Sequence, residues 1–184
     1  MSAPRAATAN VLGALALVIT DQLDATTSPA GAGGSATAAL SALDQFLDKP
    51  SVTRLRDVLG LTHSGTVRLL ERLDVAGLIT RGAGPDGRTR SIRLTARGRR
   101  SARSSAEQRA AYLNAVLDGL TPSEMQTLHG LLARMMSEAV SIKEGGAWIC
   151  RRCDLRACGR SDGNCPAATA ATHKYGLASG NVPD

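Results

Sequence analysis

Aromatic side chains are nearly absent: Phe46, Tyr112, Trp148 and Tyr175 are the only four in 184 residues. That scarcity excludes an aromatic-rich β-sandwich core. The apolar 43% of the chain is mostly Ala, Leu and Val, which favours close-packed helices. Lysine is scarce as well, and arginine supplies 19 of the 22 basic residues behind a formal charge of +6. A planar guanidinium forks onto phosphate or base edges, so an Arg-borne excess suits phosphate-bearing partners. Cysteine is confined to residues 150–165, which argues for a local site and against a framework of scattered disulfides. No apolar run is long. Val11–Ile19 falls well short of the ~20 residues that span a bilayer. It follows a single Arg5 and precedes no clear cleavage site, so no secretory signal, no membrane partner and a cytoplasmic location are expected. No Ser/His/Asp spacing, phosphate-cradling glycine loop or His-Glu-x2-His is present, and no enzyme is expected.

The patterned segments form a series. Leu12, Leu15, Ile19 and Leu23 predict a helix over 6–24, and Ser28–Ser35 is a Gly/Ser/Ala breaker. A second helix over 36–48 carries Leu40, Leu43 and Leu47 and stops before Pro50. Ser51 caps a short third helix that ends near Leu59, Gly60 turns the chain, and a fourth helix runs from Thr62 to Ala76. The period then changes to two. Leu78–Arg81 and Arg90–Leu94 read as short strands around a turn cluster, Gly82-Ala83-Gly84-Pro85-Asp86-Gly87. Thr95 caps a long helix to about Asp118, and Thr121-Pro122-Ser123-Glu124 is a capping box opening another that ends at Gly145-Gly146. Beyond about residue 166 the Ala-rich end reads as frayed. The fold class is therefore mainly α with a small β-hairpin wing: a winged helix-turn-helix with flanking dimerisation helices. The divisions are 1–27, an N-terminal dimerisation helix; 28–35, a loop; 36–98, the winged unit; 99–142, C-terminal dimerisation helices; and 143–184, a Cys-containing tail.

A helix that enters a DNA major groove needs small or polar residues near its N-terminus. Thr62, His63, Ser64 and Gly65 fit that need, and Arg68 and Arg72 extend the polar side opposite Leu69, Leu70 and Leu73. His63 either donates to a base or phosphate or occupies a surface position in the first turn; both readings stand. His129 reads as a packed or surface residue. From Arg81 to Arg109 there are nine arginines against Asp86 and Glu107. Arg88 and Arg90 on the hairpin suit a narrow minor groove, whereas Arg99, Arg100 and Arg103 fit a solvated helix face nearly as well.

The run from Leu59 through Arg68, continued by Leu73-Asp74-Val75-Ala76-Gly77-Leu78-Ile79-Thr80-Arg81, resembles the recognition region of MarR-family regulators. Asp86-Gly87-Arg88 with Arg90 resembles that family's wing, and Leu94-Thr95-Ala96-Arg97-Gly98 the segment after it. The resemblance spans about residues 6–142. It implies a homodimer whose outer helices form the interface and whose winged units read a pseudo-palindromic site in double-stranded DNA, with Asp86 bracing Arg88. It also implies a repressor released by a small-molecule effector, although so few aromatics give little support for a ring-binding pocket.

Cys150-x2-Cys153-x4-Cys158-x6-Cys165-Pro166 lies outside the resemblance. Four thiolates meet the ligand count of a structural Zn2+, the favoured reading. An iron–sulfur cluster also takes four cysteines, and a closing Cys-Pro accompanies such runs. Reversible disulfide switching is the third reading, aided by Arg151, Arg152 and Arg156, which are expected to lower the thiol pKa values. A rival to DNA reading is a protein–protein adaptor with a winged helix and a structural zinc module.

Overall fold

The computed structural model describes residues 3–27, 33–83, 90–142 and 147–175. The order is α1 (Ala3–Thr27), α2 (Gly33–Gln45), α3 (Val52–Leu59), α4 (His63–Val75), β1 (Ile79–Ala83), β2 (Arg90–Leu94), α5 (Ala96–Leu117), α6 (Pro122–Ile142), α7 (Ala147–Cys150) and α8 (Pro166–Tyr175).

One core gathers α2, α3, α4 and the hairpin. Leu40, Leu55, Val58, Leu69, Leu70, Leu73, Ile79 and Ile92 are fully buried there. Alanines 36, 38, 39 and 42 are also buried, so α2 is enclosed nearly all round and its short side chains let its neighbours close in. Truncating one such leucine typically costs 2–5 kcal/mol, through lost transfer energy and the cavity left behind.

The local signals that set α3 and α4 are visible atom by atom. Ser51 Oγ accepts from Arg54 N at 3.1 Å and opens α3. Gly60, at φ 65°, closes it by donating its N–H to the Arg56 carbonyl. Nothing stands within 4 Å of where a Gly60 Cβ would lie, so the left-handed backbone alone demands glycine. Gly60→Ala is expected to cost about 1 kcal/mol. The check is a lowered urea midpoint at unchanged m-value.

β1 and β2 pair antiparallel, from Ile79 opposite Leu94 to Ala83 opposite Arg90. Gly82 and Ala83, expected in the hairpin tip, belong to β1 instead, because the ladder runs two residues beyond Arg81. The tip at 84–89 lies outside the described residues. Ile92 N also donates to the Pro50 carbonyl at 3.1 Å, which joins the hairpin to the start of α3. Thr95 does three things at once. Its N–H donates to the Leu78 carbonyl, its hydroxyl donates to the Gly77 carbonyl at 2.7 Å, and the same oxygen accepts from Gly98 N. The hairpin base and the α5 start are thereby one joint. At α6, Glu124 accepts from both the Thr121 N–H and hydroxyl, and this lowers the Glu124 carboxyl pKa.

Several sequence expectations need correction. α2 ends at Gln45, because Phe46 and Leu47 both donate to the Ala42 carbonyl and Lys49 takes φ 48° as the chain turns into Pro50. α2 also starts earlier than expected, at Gly33; a Cβ at Gly34 would stand 2.5 Å from an Asp24 carboxylate oxygen, so glycine permits the close passage past α1. α1 is longer than its apolar run, and its Ala3–Ala25 stretch is long and apolar enough by length and composition to cross a membrane. Of its expected inner face, Leu23 is buried but Leu12 and Leu15 are exposed. The chain after residue 166 is not frayed throughout: α8 packs on α6, with Ala167 and Cys165 buried beside Val140. Lys174 Nζ donates to the Val140 and Ser141 carbonyls, satisfying the end of α6. The expected helix stop at Gly145-Gly146 lies outside the described residues.

Candidate nucleic-acid interface

Thr62 is the N-cap of α4, its hydroxyl accepting from Gly65 N at 3.1 Å. A Cβ on Gly65 would meet that hydroxyl at 3.0 Å, so glycine leaves the cap undisturbed. His63 and Ser64 follow in the first turn, and they, Arg68 and Arg72 are exposed. The α4 face opposite is sealed by Leu69, Leu70 and Leu73, together with Thr66, whose hydroxyl donates to the Thr62 carbonyl. Thr66 passed unnoticed in the sequence because a threonine inside a helix gives no sign of facing inward. The arrangement is a rigid helix with its N-terminal amides and four polar or basic side chains turned outward, able to accept phosphate at its positive end and to offer guanidinium donors along its length.

The arginines that follow divide by environment. Arg81 is half-buried, with Nε 3.4 Å from Asp74 Oδ2, and ties β1 to the end of α4. Arg99 donates to the Leu94 carbonyl and Arg103 stands 4.0 Å from Asp44. Arg93, Arg97 and Arg100 are exposed. For Arg90 the backbone pairs with Ala83; its side chain, like Asp86 and Arg88 entirely, lies outside the described residues.

No family model and no curated protein matches the sequence. Solved structures do match the fold. MepR of Staphylococcus aureus, a transcription regulator of the multidrug efflux pump MepA, superposes with a TM-score of 0.64 at 17% identity, covering 71% of this chain and 97% of that one. The MarR-family transcription regulator SP03579 gives 0.63 at 21% identity, over 77% and 97%. The Mycobacterium tuberculosis MarR-family protein Rv2887, in complex with p-aminosalicylic acid, gives 0.54 at 24%, over 69% and 96%. The chain has the MarR fold. MepR has also been crystallised bound to DNA, and that structure matches with a TM-score of 0.58. These MarR-fold regulators are covered almost end to end, whereas this chain carries residues for which they have no counterpart.

The four cysteines sit in two turns that an Arg160–Cys150 contact ties together. Cys150 closes α7 and Cys153 N donates back to the Cys150 carbonyl at 3.0 Å. A second turn, closed by Asn164 N on the Gly159 carbonyl, with Gly159 and Gly163 at positive φ, brings Cys158 against the small apolar cluster that holds Cys165. All four are free thiols; Cys150 and Cys165 are buried and the other two half-buried. Arg160 Nη1 donates to Cys150 Sγ at 3.2 Å. Among the described residues, however, no group of three or more His, Cys, Asp or Glu side chains is placed to hold a metal ion.

The expected lowering of the thiol pKa values is overturned. Burial pushes Cys150 and Cys158 up and Cys153 up to about 11. The thiolate loses more hydration than nearby cations restore. The arginines that oppose the shift most are Arg160 at Cys150 and Cys158 and Arg109 at Cys153, while Arg151 also interacts with Cys153. Arg152 is held by Asp24 at 2.9 Å, and the exposed Arg156 stands 3.8 Å from Asp154.

Gln45, which drew no notice in the sequence, holds this segment to α2. Its Nε2 donates to the Cys153 carbonyl at 2.6 Å and its Oε1 accepts from Leu155 N at 2.8 Å. A shallow cleft beside it, between α2 and α5, is lined by Thr37, Ser41, Ser105, Arg109 and Cys153 among others, none of them aromatic.

Proposed function

We propose that this chain is a sequence-specific DNA-binding transcription regulator of the MarR type, acting in the cytoplasm as a homodimer and as a repressor. The observation that carries the reading is α4: a helix anchored by three buried leucines, with His63, Ser64, Arg68 and Arg72 exposed beside a two-stranded hairpin. The DNA-bound MepR structure provides the precedent for such a fold on a duplex. In this reading Thr62, His63, Ser64, Gly65, Arg68 and Arg72 face the major groove, and Arg88 and Arg90, the former braced by Asp86, enter the adjacent minor groove.

Apolar residues exposed on α1 (Val11, Leu12, Leu15, Leu17 and Val18) and α6 (Leu131, Leu132, Met135 and Met136) are the surface a second copy covers. We assign α1 to that interface and not to a bilayer, since its lower end packs on α2 and α5 and its Asp24 binds Arg152. A small-molecule effector belongs to the same reading, with the p-aminosalicylic acid complex of Rv2887 as its precedent.

The test is duplex binding against salt. Affinity for a sequence selected from a random DNA pool is expected to fall linearly on logarithmic axes, with a slope of roughly −5 or steeper as about six phosphates release counterions. Binding no tighter than to unselected DNA at low salt would favour the protein–protein adaptor instead.

A further inference from the structure

We propose that Cys150, Cys153, Cys158 and Cys165 bind one Zn2+ per chain, and that this ion fastens the tail to the helix-turn-helix so that metal occupancy governs the rigidity of α3. The inference rests on the MarR-type reading only for its regulatory meaning; the site itself stands on the thiols.

Geometry comes first. Two turns, each closed by a backbone hydrogen bond, present two cysteines apiece; Cys158 and Cys165 share one small apolar cluster, and Arg160 of the second turn reaches Cys150 Sγ of the first at 3.2 Å. Four soft donors select a thiophilic ion over Mg2+ or Ca2+, which need oxygen ligands. Among such ions Zn2+ takes a closed tetrahedron of four cysteines with no strain from d-electron preference. A zinc tetrathiolate carries a net double negative charge, which has to be balanced where water is scarce. Arg160 on Cys150 Sγ and Arg109 near Cys153 are placed for that purpose. The sulfurs do not yet stand at ligand distance from one centre, so the ion must draw them in, and doing so tightens both turns.

The attachment gives that tightening somewhere to go. Gln45 brackets the backbone of Cys153 and Leu155 with both atoms of its amide, at 2.6 and 2.8 Å. Arg152 reaches Asp24 on α1. α7 packs on α3 and α8 packs on α6. The tail thus bridges the last long helix and the first helix of the DNA-reading pair, and α3 is the element against which α4 is seated. A coordinated zinc ion makes that bridge stiff; without it, the bridge depends on the Gln45 hydrogen bonds, the Arg152–Asp24 pair and a small apolar cluster around Val140, Cys165 and Ala167.

The test uses the full-length protein and the metal alone. Protein stripped with a chelator under reducing conditions is titrated with Zn2+ and, separately, with Co2+ as a spectroscopic stand-in. One equivalent of zinc per chain is expected, with cobalt giving the intense sulfur-to-metal charge-transfer and visible bands of a tetrahedral tetrathiolate. Hydrogen exchange across Val52–Leu59 is expected to slow at least tenfold on zinc addition. Gln45→Ala should still bind one zinc but lose most of that slowing. Cys150→Ser should abolish tight binding; because it can also unfold the tail, stripping and reloading the native protein remains the deciding comparison. Less than half an equivalent of zinc, acid-labile sulfide and iron in freshly isolated protein, or unchanged α3 exchange between stripped and loaded protein would each overturn the proposal. Failure to bind DNA with these results intact would count against the proposed function and leave the metal site standing.

Discussion

Replacing Arg68 and Arg72 together by alanine is expected to weaken binding to the selected duplex about a hundredfold or more, with no loss of fold. The two residues are one helical turn apart on the exposed side of α4, so they address the same stretch of groove. A guanidinium directed at a guanine edge contributes about 1–3 kcal/mol, and two such losses multiply in the binding constant. The stability of α4 comes from Leu69, Leu70 and Leu73 on the other side, and surface replacements remote from a core stay within about 0.5 kcal/mol. Fluorescence anisotropy with the duplex, beside a thermal melt, separates the two effects. Arg134→Ala is the control: that arginine is exposed on α6, away from the hairpin. If it weakens binding as much as the double replacement does, general charge and not α4 drives the interaction.

Gly98→Ala should produce the largest stability loss from a single methyl group. Gly98 is buried where α5 starts, and an added Cβ would overlap the carbonyl oxygen of Leu78. That oxygen cannot retreat, because it already accepts the Thr95 N–H and belongs to the joint between hairpin and α5. Overpacking against fixed backbone costs on the order of 3 kcal/mol, which for a chain of this size lowers Tm by roughly 6–12 °C. A melt within 2 °C of the native protein would show that the joint gives way easily. The contrast with Gly60 is instructive. There the backbone angle demands glycine in open space; here the helix tolerates alanine and the neighbour does not.

Much of the fold was legible because its signals are local. The capping contacts of Ser51, Gly60, Thr95 and Thr121 each lie within five residues or so, and each of these residues occupies the cap or turn expected of it, although Thr95 also reaches back to Gly77 and Leu78. The leucine spacing of α4 likewise marked its inward side, since a helical face is determined by a short period. The candidate DNA-reading residues of α4 follow by subtraction, as what remains outside.

Where the reading failed, the deciding partner was far along the chain. The ladder beyond Arg81 depends on strand pairing and not on local alternation. α8 owes its order to Val140 and to the open carbonyls at the end of α6, satisfied by Lys174 more than thirty residues on. The arginines beside the cysteines were expected to activate them, yet burial wins, and the cations that oppose it most are Arg160 and Arg109. Exposure of Leu12 and Leu15 on α1 is equally invisible to periodicity, which marks an apolar stripe without saying which surface covers it.

The scarcity of aromatics, the dominance of arginine and the confinement of cysteine to one short stretch thus determined the helical class, the basic character and the existence of a separate thiol segment. Composition and local spacing act before the chain folds and need no partner. The seat of that thiol segment was decided only by the tertiary structure. Gln45 meets Cys153 and Leu155 across more than a hundred residues. Only the packing of α7 on α3 and α8 on α6 brings them together, since no local propensity encodes a contact between positions so remote.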